Sequence, residues 1–204
     1  MHLIPTNEEV LDLLRNAGGL RRGHYEYPNG FHGDQYIQPA MAMRKYETAK
    51  ILSVGLSRLV RANAEIRAVI PELSIVAPAT GGLPVAYGIG EALRARQVYW
   101  AESASASEPL RFRMFLEVEP GEKVLLVDDV LRTGRRMTQL RKLVEEKGGE
   151  VVGLAVLVLD PQPGLASFDP LPCYHLAAAA GAYYTGPDSC PLCRNGEPVT
   201  KVWV

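Results

Sequence analysis

Two adjacent carboxylates, Asp128 and Asp129, follow an apolar run and precede a short loop that contains Thr133 and Gly134. Neighbouring carboxylates repel each other unless a ligand uses both, and the vicinal hydroxyl groups of a ribose can donate hydrogen bonds to such a pair. Backbone N–H groups at the start of a helix bind phosphate, and a glycine lets the phosphate approach closely. Residues 128–136 therefore predict a site for a sugar phosphate.

The same residue types allow two other interpretations. An aspartate before a helix is a common cap, and in that case the acidic pair belongs only to a polar loop. An acidic pair after a strand also suits an aspartyl phosphotransferase or a Mg²⁺-dependent hydrolase. The complete string of residues 124–134 is more specific than its two carboxylates, which favours the sugar-phosphate interpretation.

The elements that must position this loop alternate between strands and helices. Apolar strands are predicted at residues 74–77, 98–100, 123–127 and 151–159. Amphipathic helices are predicted from a capping box at Thr6 to Gly18, at about 46–63, after the turn at 78–82 to about 94, and at about 135–147. Residues 23–38 are typical of a surface hairpin or loop. This order predicts a parallel α/β sheet with helices on both faces and a ligand at the carboxyl ends of its strands.

Composition narrows the class of protein. The 204 residues carry 22 basic and 23 acidic side chains, so a net charge of -1 provides no broad attraction to nucleic acid. No apolar run approaches the length of a membrane span, and residues 1–5 lack the features of a signal peptide. Three cysteines are too few for a disulfide scaffold. We expect a cytoplasmic protein that binds neither nucleic acid nor membrane.

The string at residues 124–134 resembles the 5-phosphoribosyl-1-pyrophosphate (PRPP) motif of type I phosphoribosyltransferases. Three further segments resemble the orotate phosphoribosyltransferase family: the aromatic-rich residues 23–36, the Gly-Gly turn within residues 76–84, and the C-terminal residues 190–198. These matches follow the family's order along nearly the whole chain. They imply a type I phosphoribosyltransferase fold, with a central, mostly parallel sheet flanked by helices and a small N-terminal hood. The expected organisation is one domain, with a hood at about 1–45, a core at about 46–165 and a C-terminal segment at about 166–204.

The resemblance implies a reversible transfer in which orotate attacks C1 of PRPP and pyrophosphate leaves. Mg²⁺ is expected to bind through PRPP rather than to direct protein ligands, because it prefers phosphate oxygens and water. Water must be excluded, since it would otherwise hydrolyse PRPP. The implied partners are PRPP, a nucleobase and a second copy of the chain in a homodimer.

The resemblance also assigns residues to roles. Ribose and 5-phosphate are assigned to Asp128, Asp129, Val130, Leu131, Arg132, Thr133, Gly134, Arg135 and Arg136. The pyrophosphate side is assigned to Thr80, Gly81 and Gly82. A mobile loop at residues 101–109 is assigned Glu102, Ser103, Ser105 and Ser107, although an ordinary surface loop has the same composition. The catalytic candidates are His32, Arg111 and Arg113.

Several positions depart from the family pattern and leave alternatives open. Arg136 replaces a small hydroxyl side chain at the end of the phosphate loop, and Arg132, Arg135 and Arg136 can instead point to solvent. Pro161 stands where the family commonly has an arginine that meets the orotate carboxylate. Residues 101–110 contain no basic side chain. A transferase for another nucleobase and a non-catalytic regulator that binds PRPP or a nucleotide are therefore alternatives to an orotate enzyme.

Cys190 and Cys193 have the spacing of a zinc knuckle. A closed tetrahedral site needs four ligands, and the sequence contains no second CxxC pair. Cys173 and His175 can complete the set on paper, but a tight C-terminal turn explains the spacing equally well. His24 is interpreted as a structural residue.

Overall fold

The chain begins with a capped helix and a hairpin. A computed structural model describes residues 3–105 and 108–202. Helix α1 (Asn7–Asn16) starts at the predicted capping box, because Thr6 Oγ1 accepts a hydrogen bond from the Glu9 N–H and the Glu9 carboxylate accepts one from the Thr6 N–H. Strands β1 (Leu20–Glu26) and β2 (His32–Ile37) then pair antiparallel. The predicted segment at residues 23–38 is therefore a hairpin.

The elements of the remaining chain follow in an alternating order. They are α2 (Ala40–Met43), α3 (Tyr46–Ala62), α4 (Ala64–Val69), β3 (Ser74–Pro78), α5 (Gly82–Leu93), β4 (Gln97–Glu102), β5 (Arg111–Phe112), β6 (Lys123–Leu131), α6 (Arg135–Glu146), β7 (Glu150–Leu159), β8 (Cys173–Ala178), β9 (Tyr183–Tyr184), α7 (Pro191–Arg194) and β10 (Thr200–Lys201). Short 3₁₀ turns occupy Ile70–Glu72 and Pro187–Ser189. None of the helices within the described ranges has the length and apolarity that a membrane crossing requires.

A six-stranded sheet forms the centre of the molecule in the order β5-β4-β3-β6-β7-β8. Every neighbouring pair is parallel except β4 and β5, which are antiparallel. The predicted, mostly parallel α/β sheet is therefore confirmed. Its order places β3 beside β6, so the turn after β3 and the acidic pair near the end of β6 meet at the carboxyl ends of these strands.

The central sheet is buried on both faces. Successive side chains of a strand point to opposite faces, and along β6 Leu125 and Val127 join one hydrophobic core while Val124 and Leu126 join the other. Helices α1, α3 and α5 cover the first face, and α6 covers the second. This arrangement explains why residues 124–127 of β6 and residues 151–159 of β7 form continuous apolar runs rather than alternating patterns.

A smaller four-stranded sheet brings the two ends of the chain together in the order β10-β1-β2-β9. Strand β10 pairs with β1 in parallel, and β9 pairs antiparallel with β2. The sheet therefore combines residues of the predicted hood region, 1–45, with residues of the predicted C-terminal segment, 166–204. Strands of two residues leave no periodic pattern in a sequence, and neither β9 nor β10 was predicted.

Strand β6 is longer than predicted. The expected strand ended at residue 127, but the ladder continues with Val130 opposite Val158 and Leu131 opposite Leu159. The long apolar strand β7 provides the partners for this extension. The acidic pair therefore lies within the last part of a strand, where backbone pairing fixes its position, rather than in the loop that follows.

Candidate active site

The acidic pair lies at the carboxyl end of β6, between the two neighbouring strands of the sheet. Asp128 is only 6% exposed, and its Oδ1 accepts a hydrogen bond from the Asp129 N–H at 2.8 Å. Burial raises the pKa of Asp128 well above its usual range, and the adjacent carboxylate of Asp129 raises it further. Burial also raises the pKa of Asp129. The protein thus maintains two carboxyl groups where neither is well solvated, which is typical of a site that a polar ligand completes.

The loop after β6 leads directly into α6. Gly134 has a φ of 77°, in the left-handed region that favours glycine. A Cβ at this position would also lie 3.1 Å from Phe168 Cε2 and 3.1 Å from Ala166 Cβ. A glycine is therefore required for the chain to turn here and present backbone N–H groups at the start of α6.

The three arginines of this loop differ in their surroundings. Arg135 is exposed, as the solvent interpretation expected. Arg136 is partly buried, and its Nη1 donates to the Ala79 carbonyl oxygen at 3.1 Å. Arg136 therefore connects the phosphate loop to the turn after β3, and the solvent interpretation is wrong for it.

The alternative of a solvent-facing side chain is also wrong for Arg132. Its Nε donates to Asp160 Oδ2 at 3.2 Å, and its Nη2 donates to the carbonyl oxygen of Ile37. The guanidinium lies 5.6 Å from the centre of the Tyr27 ring. Arg132 thus joins the phosphate loop to the end of β7 and to the small sheet.

The Gly-Gly turn after β3 lies against the acidic pair. A Cβ on Gly81 would lie 3.2 Å from Asp129 Oδ2, and a Cβ on Gly82 would lie 3.2 Å from Asp128 Oδ1 and 2.8 Å from Pro78 Cδ. The peptide bond between Ala79 and Thr80 is cis. Because Gly81 and Gly82 have no side chains, the turn and the carboxylates can approach each other closely. A site that holds both ends of one ligand requires such an approach.

One cavity of about 870 Å³ joins these features between the small sheet and the edge of the central sheet. Its lining includes the predicted residues Thr80, Gly81, Asp128, Asp129, Val130, Leu131, Arg132, Thr133, Gly134, Arg135 and Arg136. Gly82 lies behind this lining at the start of α5. The structure therefore brings the predicted ribose and 5-phosphate residues, and two of the three predicted pyrophosphate residues, to the lining of one cavity.

The predicted mobile loop starts later than expected. Glu102 belongs to β4, where it pairs with Arg111 of β5, and its Oε1 lies 2.8 Å from Arg113 Nε. Ser103 and Ser105 lie in the connection between these strands, and Ser107 lies outside the described residues. Arg113 lowers the pKa of Glu102. The two predicted catalytic arginines thus stand at the base of this connection, outside the lining of the cavity.

His32 also lies outside the lining of the cavity. It is buried in the small sheet, where its Nδ1 lies 2.9 Å from His24 Nε2. The prediction that His32 acts on the substrate therefore receives no support from its position.

Several cavity residues were not predicted as site residues. Gln162 is buried, accepts a hydrogen bond from Asn29 Nδ2 at 3.1 Å, and its Nε2 has no hydrogen-bond partner among the described residues. Tyr27 also lines the cavity, and burial raises its pKa to about 12. Gln162 directly follows Pro161, which stands where the family commonly has an arginine. This departure from the family pattern could have directed attention to Gln162. Asn29 and Tyr27 lie in the hairpin, and only the fold brings them to the cavity that the acidic pair lines.

Comparison with known proteins finds relatives along nearly the whole chain. The phosphoribosyl transferase domain family matches residues 59–170, more than half of the chain. An orotate phosphoribosyltransferase of Carboxydothermus hydrogenoformans is 35% identical over 193 residues, with 95% of each chain covered. One of Thermus thermophilus is 30% identical over 194 residues, covering 95% of this chain and all of the relative.

Solved structures show the same fold. The crystal structure of orotate phosphoribosyltransferase from Aeropyrum pernix superposes with a TM-score of 0.67 at 18% identity, covering 83% of this chain and 93% of that one. The Mycobacterium tuberculosis enzyme, solved with inorganic phosphate, gives a TM-score of 0.59 at 22% identity, covering 84% and 95% of the two chains. The predicted type I phosphoribosyltransferase fold is confirmed. By the identity and coverage of its relatives, this chain belongs to the orotate phosphoribosyltransferase family.

Proposed function

We propose that this protein transfers the 5-phosphoribosyl group of PRPP to orotate, forming orotidine 5′-monophosphate and pyrophosphate in pyrimidine nucleotide synthesis. The observation that carries the proposal is the single cavity lined by the Asp128–Asp129 pair, the turn at Gly81 and the loop around Gly134. These three features match the three parts of PRPP: a diol, a pyrophosphate and a 5-phosphate. The names of the relatives identify orotate as the nucleobase to be tested.

In this proposal the ribose and the 5-phosphate bind to opposite ends of one segment. The carboxylates of Asp128 and Asp129 accept hydrogen bonds from the 2′- and 3′-hydroxyl groups of the ribose. The 5-phosphate binds to the backbone N–H groups at the start of α6, and Thr133 can donate its hydroxyl. Burial raises the pKa of both carboxyl groups, and in the proposal the ribose hydroxyls provide the solvation that the folded chain does not.

Pyrophosphate is assigned to the turn at residues 80–82. Arg136 already donates to the Ala79 carbonyl oxygen and brings a positive charge to this turn. The oxygen-rich acidic pair beside the turn fits a hard cation, and in the proposal Mg²⁺ binds mainly through PRPP oxygens and water. Bound Mg²⁺ would neutralise charge on the departing pyrophosphate.

Catalysis in this site depends on position and electrostatics. Positive charge develops on the ribose ring as pyrophosphate leaves, and in the proposal the carboxylates of the buried Asp128 and the partly buried Asp129 stabilise that charge. The connection between β4 and β5 is proposed to close over the cavity and exclude water, carrying Arg111 and Arg113 towards the pyrophosphate. No covalent nucleophile is needed.

The nucleobase is proposed to bind on the side of Arg132. Because Pro161 cannot provide a positive charge, the carboxylate of orotate needs another cation, and Arg132 lines the cavity close to the end of β7. The amide of Gln162 can donate to a carbonyl oxygen of the base, since its Nε2 has no partner among the described residues. These two groups suit a pyrimidine that carries both a carboxylate and carbonyl oxygens.

The proposal includes a cytoplasmic homodimer. Two apolar side chains, Met114 and Phe115, are 82% and 93% exposed just beyond Arg113. Exposed neighbouring apolar groups beside a functional loop favour burial against another chain. Light scattering in solution measures the oligomeric state directly.

Turnover with a panel of bases tests the function. We expect Mg²⁺-dependent consumption of PRPP with orotate, and background rates with uracil, adenine and hypoxanthine. Turnover with another base but not with orotate would show that this other base is the acceptor. Tight binding of PRPP without turnover on any base would support the non-catalytic regulator, and the Asp128→Asn variant provides the matched control for PRPP binding.

A further inference from the structure

Four side chains with metal-binding atoms meet outside the active-site cavity. They are His24 of β1, His32 of β2, Cys190, and Cys193 of α7. Their ligand atoms all lie within 4.8 Å of one another, and three of the four residues are buried. Cys173 and His175, the partners considered from the sequence, belong to β8 and are not in this group.

The distances within the group suit a tetrahedral ion. Cys190 Sγ and Cys193 Sγ lie 3.6 and 3.5 Å from His24 Nε2, and Cys193 Sγ lies 3.3 Å from His32 Nδ1. Zinc–sulfur bonds of about 2.3 Å and zinc–nitrogen bonds of about 2.0–2.1 Å place tetrahedral ligand atoms roughly 3.3–3.8 Å apart. The two histidine nitrogens, 2.9 Å apart, need to separate by only a few tenths of an ångström.

A backbone contact orients one of the histidines for metal binding. His24 Nδ1 lies 2.9 Å from the carbonyl oxygen of Glu197. A carbonyl oxygen only accepts hydrogen bonds, so Nδ1 carries the proton and Nε2 presents its lone pair towards Cys190 and Cys193. Metal-binding histidines commonly have such a second partner, which fixes the orientation of the ring.

The four residues also come from two distant parts of the chain, as is usual for a metal site that stabilises a fold. The two histidines belong to the N-terminal hairpin. Cys190 is the N-cap of the short helix α7 near the C-terminus, and Cys193 lies within that helix. An ion here would connect segments more than 150 residues apart in sequence. The same small sheet contains Tyr27 and Val202 at its margin, and both line the active-site cavity.

We propose that His24, His32, Cys190 and Cys193 bind a structural Zn²⁺ ion that joins the N-terminal hairpin to the C-terminal segment. Two imidazole and two thiolate ligands form a common closed zinc site, with no position left open for chemistry. This ion is separate from the Mg²⁺ of PRPP, because the ligand set is soft and the group does not line the cavity. The proposal does not depend on the identity of the nucleobase.

Metal analysis of the untagged protein tests this site. We expect about one zinc per chain after purification under reducing conditions with zinc present, and retention after dialysis. The Cys193→Ser and His24→Ala variants should lose most of this zinc. Cys173→Ser is the matched control, because Cys173 is exposed and outside the group, and it should retain the wild-type content.

A second measurement keeps the test decisive where a variant fails to fold. Cobalt added to metal-depleted wild-type protein should produce the intense thiolate-to-cobalt absorption of a tetrahedral site, and zinc should abolish it. Removal of zinc should lower the melting temperature by roughly 10 °C. The proposal would be overturned by wild-type protein that contains no zinc after reduction and gives no thiolate-to-cobalt band. A Cys190–Cys193 disulfide that mass spectrometry still detects after treatment with a reductant would also overturn it.

Discussion

Arg132 Nε donates a hydrogen bond to Asp160 Oδ2 across 3.2 Å, which joins the phosphate loop to the residue that follows β7. Asp160 is completely buried, and its carboxylate also accepts hydrogen bonds from Gln35 Nε2 and the Tyr183 hydroxyl. The neighbouring carboxylate and burial raise the pKa of Tyr183, with burial the larger cause, so this hydroxyl remains a donor. One arginine therefore supports a buried carboxylate and a wall of the cavity at the same time.

Replacing Arg132 by methionine should destabilise the protein. The substitution leaves the buried Asp160 carboxylate without its cation, and we expect the free energy of unfolding to fall by about 3 kcal/mol. Urea denaturation measures this change. Arg135→Met is the matched control, because Arg135 is exposed in the same loop, and it should change the free energy by less than about 0.5 kcal/mol. Equal stability of the two variants would remove Arg132 from this role.

Arg132→Lys separates charge from geometry at the proposed base site. Lysine keeps the positive charge but cannot make the same directed pair of hydrogen bonds. We expect the KM for orotate to rise about tenfold, with a smaller change in the KM for PRPP. Steady-state kinetics with each substrate varied in turn measure both values, and an increase confined to PRPP would place the base elsewhere.

Asp128→Asn should stabilise the folded protein while it abolishes PRPP binding. Because burial raises the pKa of Asp128 in the folded state, ionisation of this group costs folding free energy as the pH rises above the usual aspartate value. The asparagine variant should therefore melt higher than the wild type at pH 8, and the difference should shrink towards pH 4. Its amide oxygen can still accept the hydrogen bond from the Asp129 N–H.

Calorimetric titration of PRPP and thermal melts at several pH values measure the two effects. We expect turnover to fall by at least about 10²-fold. Asp12→Asn is the control, because Asp12 is an exposed residue of α1, and it should alter neither property. A wild type that is more stable than Asp128→Asn at pH 8 would contradict the buried, unsolvated state assigned to this carboxyl group.

Gly81→Ala tests the close approach of the turn to the acidic pair. The backbone φ of Gly81 is -60°, which alanine readily adopts, so the effect should come from its Cβ, 3.2 Å from Asp129 Oδ2. We expect kcat/KM for PRPP to fall about tenfold or more, and stability to change by less than about 1 kcal/mol. Gly186→Ala is the control, since a Cβ there would have no described heavy atom within 4 Å and its backbone is extended. Similar kinetics in both variants would argue against a ligand between turn and carboxylates.

Arg111→Ala should reduce turnover more than substrate affinity. If the connection between β4 and β5 closes during the reaction, Arg111 reaches the pyrophosphate only in the closed state. We expect kcat to fall about 10²-fold and the PRPP dissociation constant to change much less. Lys142→Ala, at an exposed position of α6, provides the control. A pure loss of affinity would instead assign Arg111 to ground-state binding.

Arg113 should behave differently from Arg111. Its guanidinium is already paired with Glu102 on the neighbouring strand, so Arg113→Ala removes a surface ion pair as well as a charge near the connection. Because exposed ion pairs contribute little to stability, a melting temperature close to that of the wild type is expected. Loss of turnover without loss of stability would support a role for Arg113 in the reaction.

Local patterns were sufficient to predict most of the central sheet and the loop of the site. Residues 123–127 and 151–159 were predicted as strands because continuous apolar runs can be buried on both faces of a parallel sheet. Gly134 and the acidic pair were recognisable because their chemistry is contained in adjacent residues. The lengthening of β6 was not predictable, since it depends on the partner strand β7.

Side-chain partners across distant segments were not predictable in the same way. The arginines at 132, 135 and 136 look alike in the sequence, but their surroundings differ. Arg132 pairs with Asp160, Arg135 is exposed, and Arg136 donates a hydrogen bond to the turn at Ala79. Their separation into three environments depends on which strand lies beside the loop. Gln162 and Asn29 share a hydrogen bond across the cavity although 133 positions separate them.

The parallel α/β architecture, the acidic turn and the family were recognisable without coordinates, because hydrophobic periodicity and short motifs act over neighbouring residues. The folded structure was needed to show that Arg132 pairs with Asp160, next to Pro161, and that His24 and His32 meet Cys190 and Cys193. These contacts join parts of the chain that no local pattern relates, and they form only when burial of the two cores brings both ends of the chain into one small sheet.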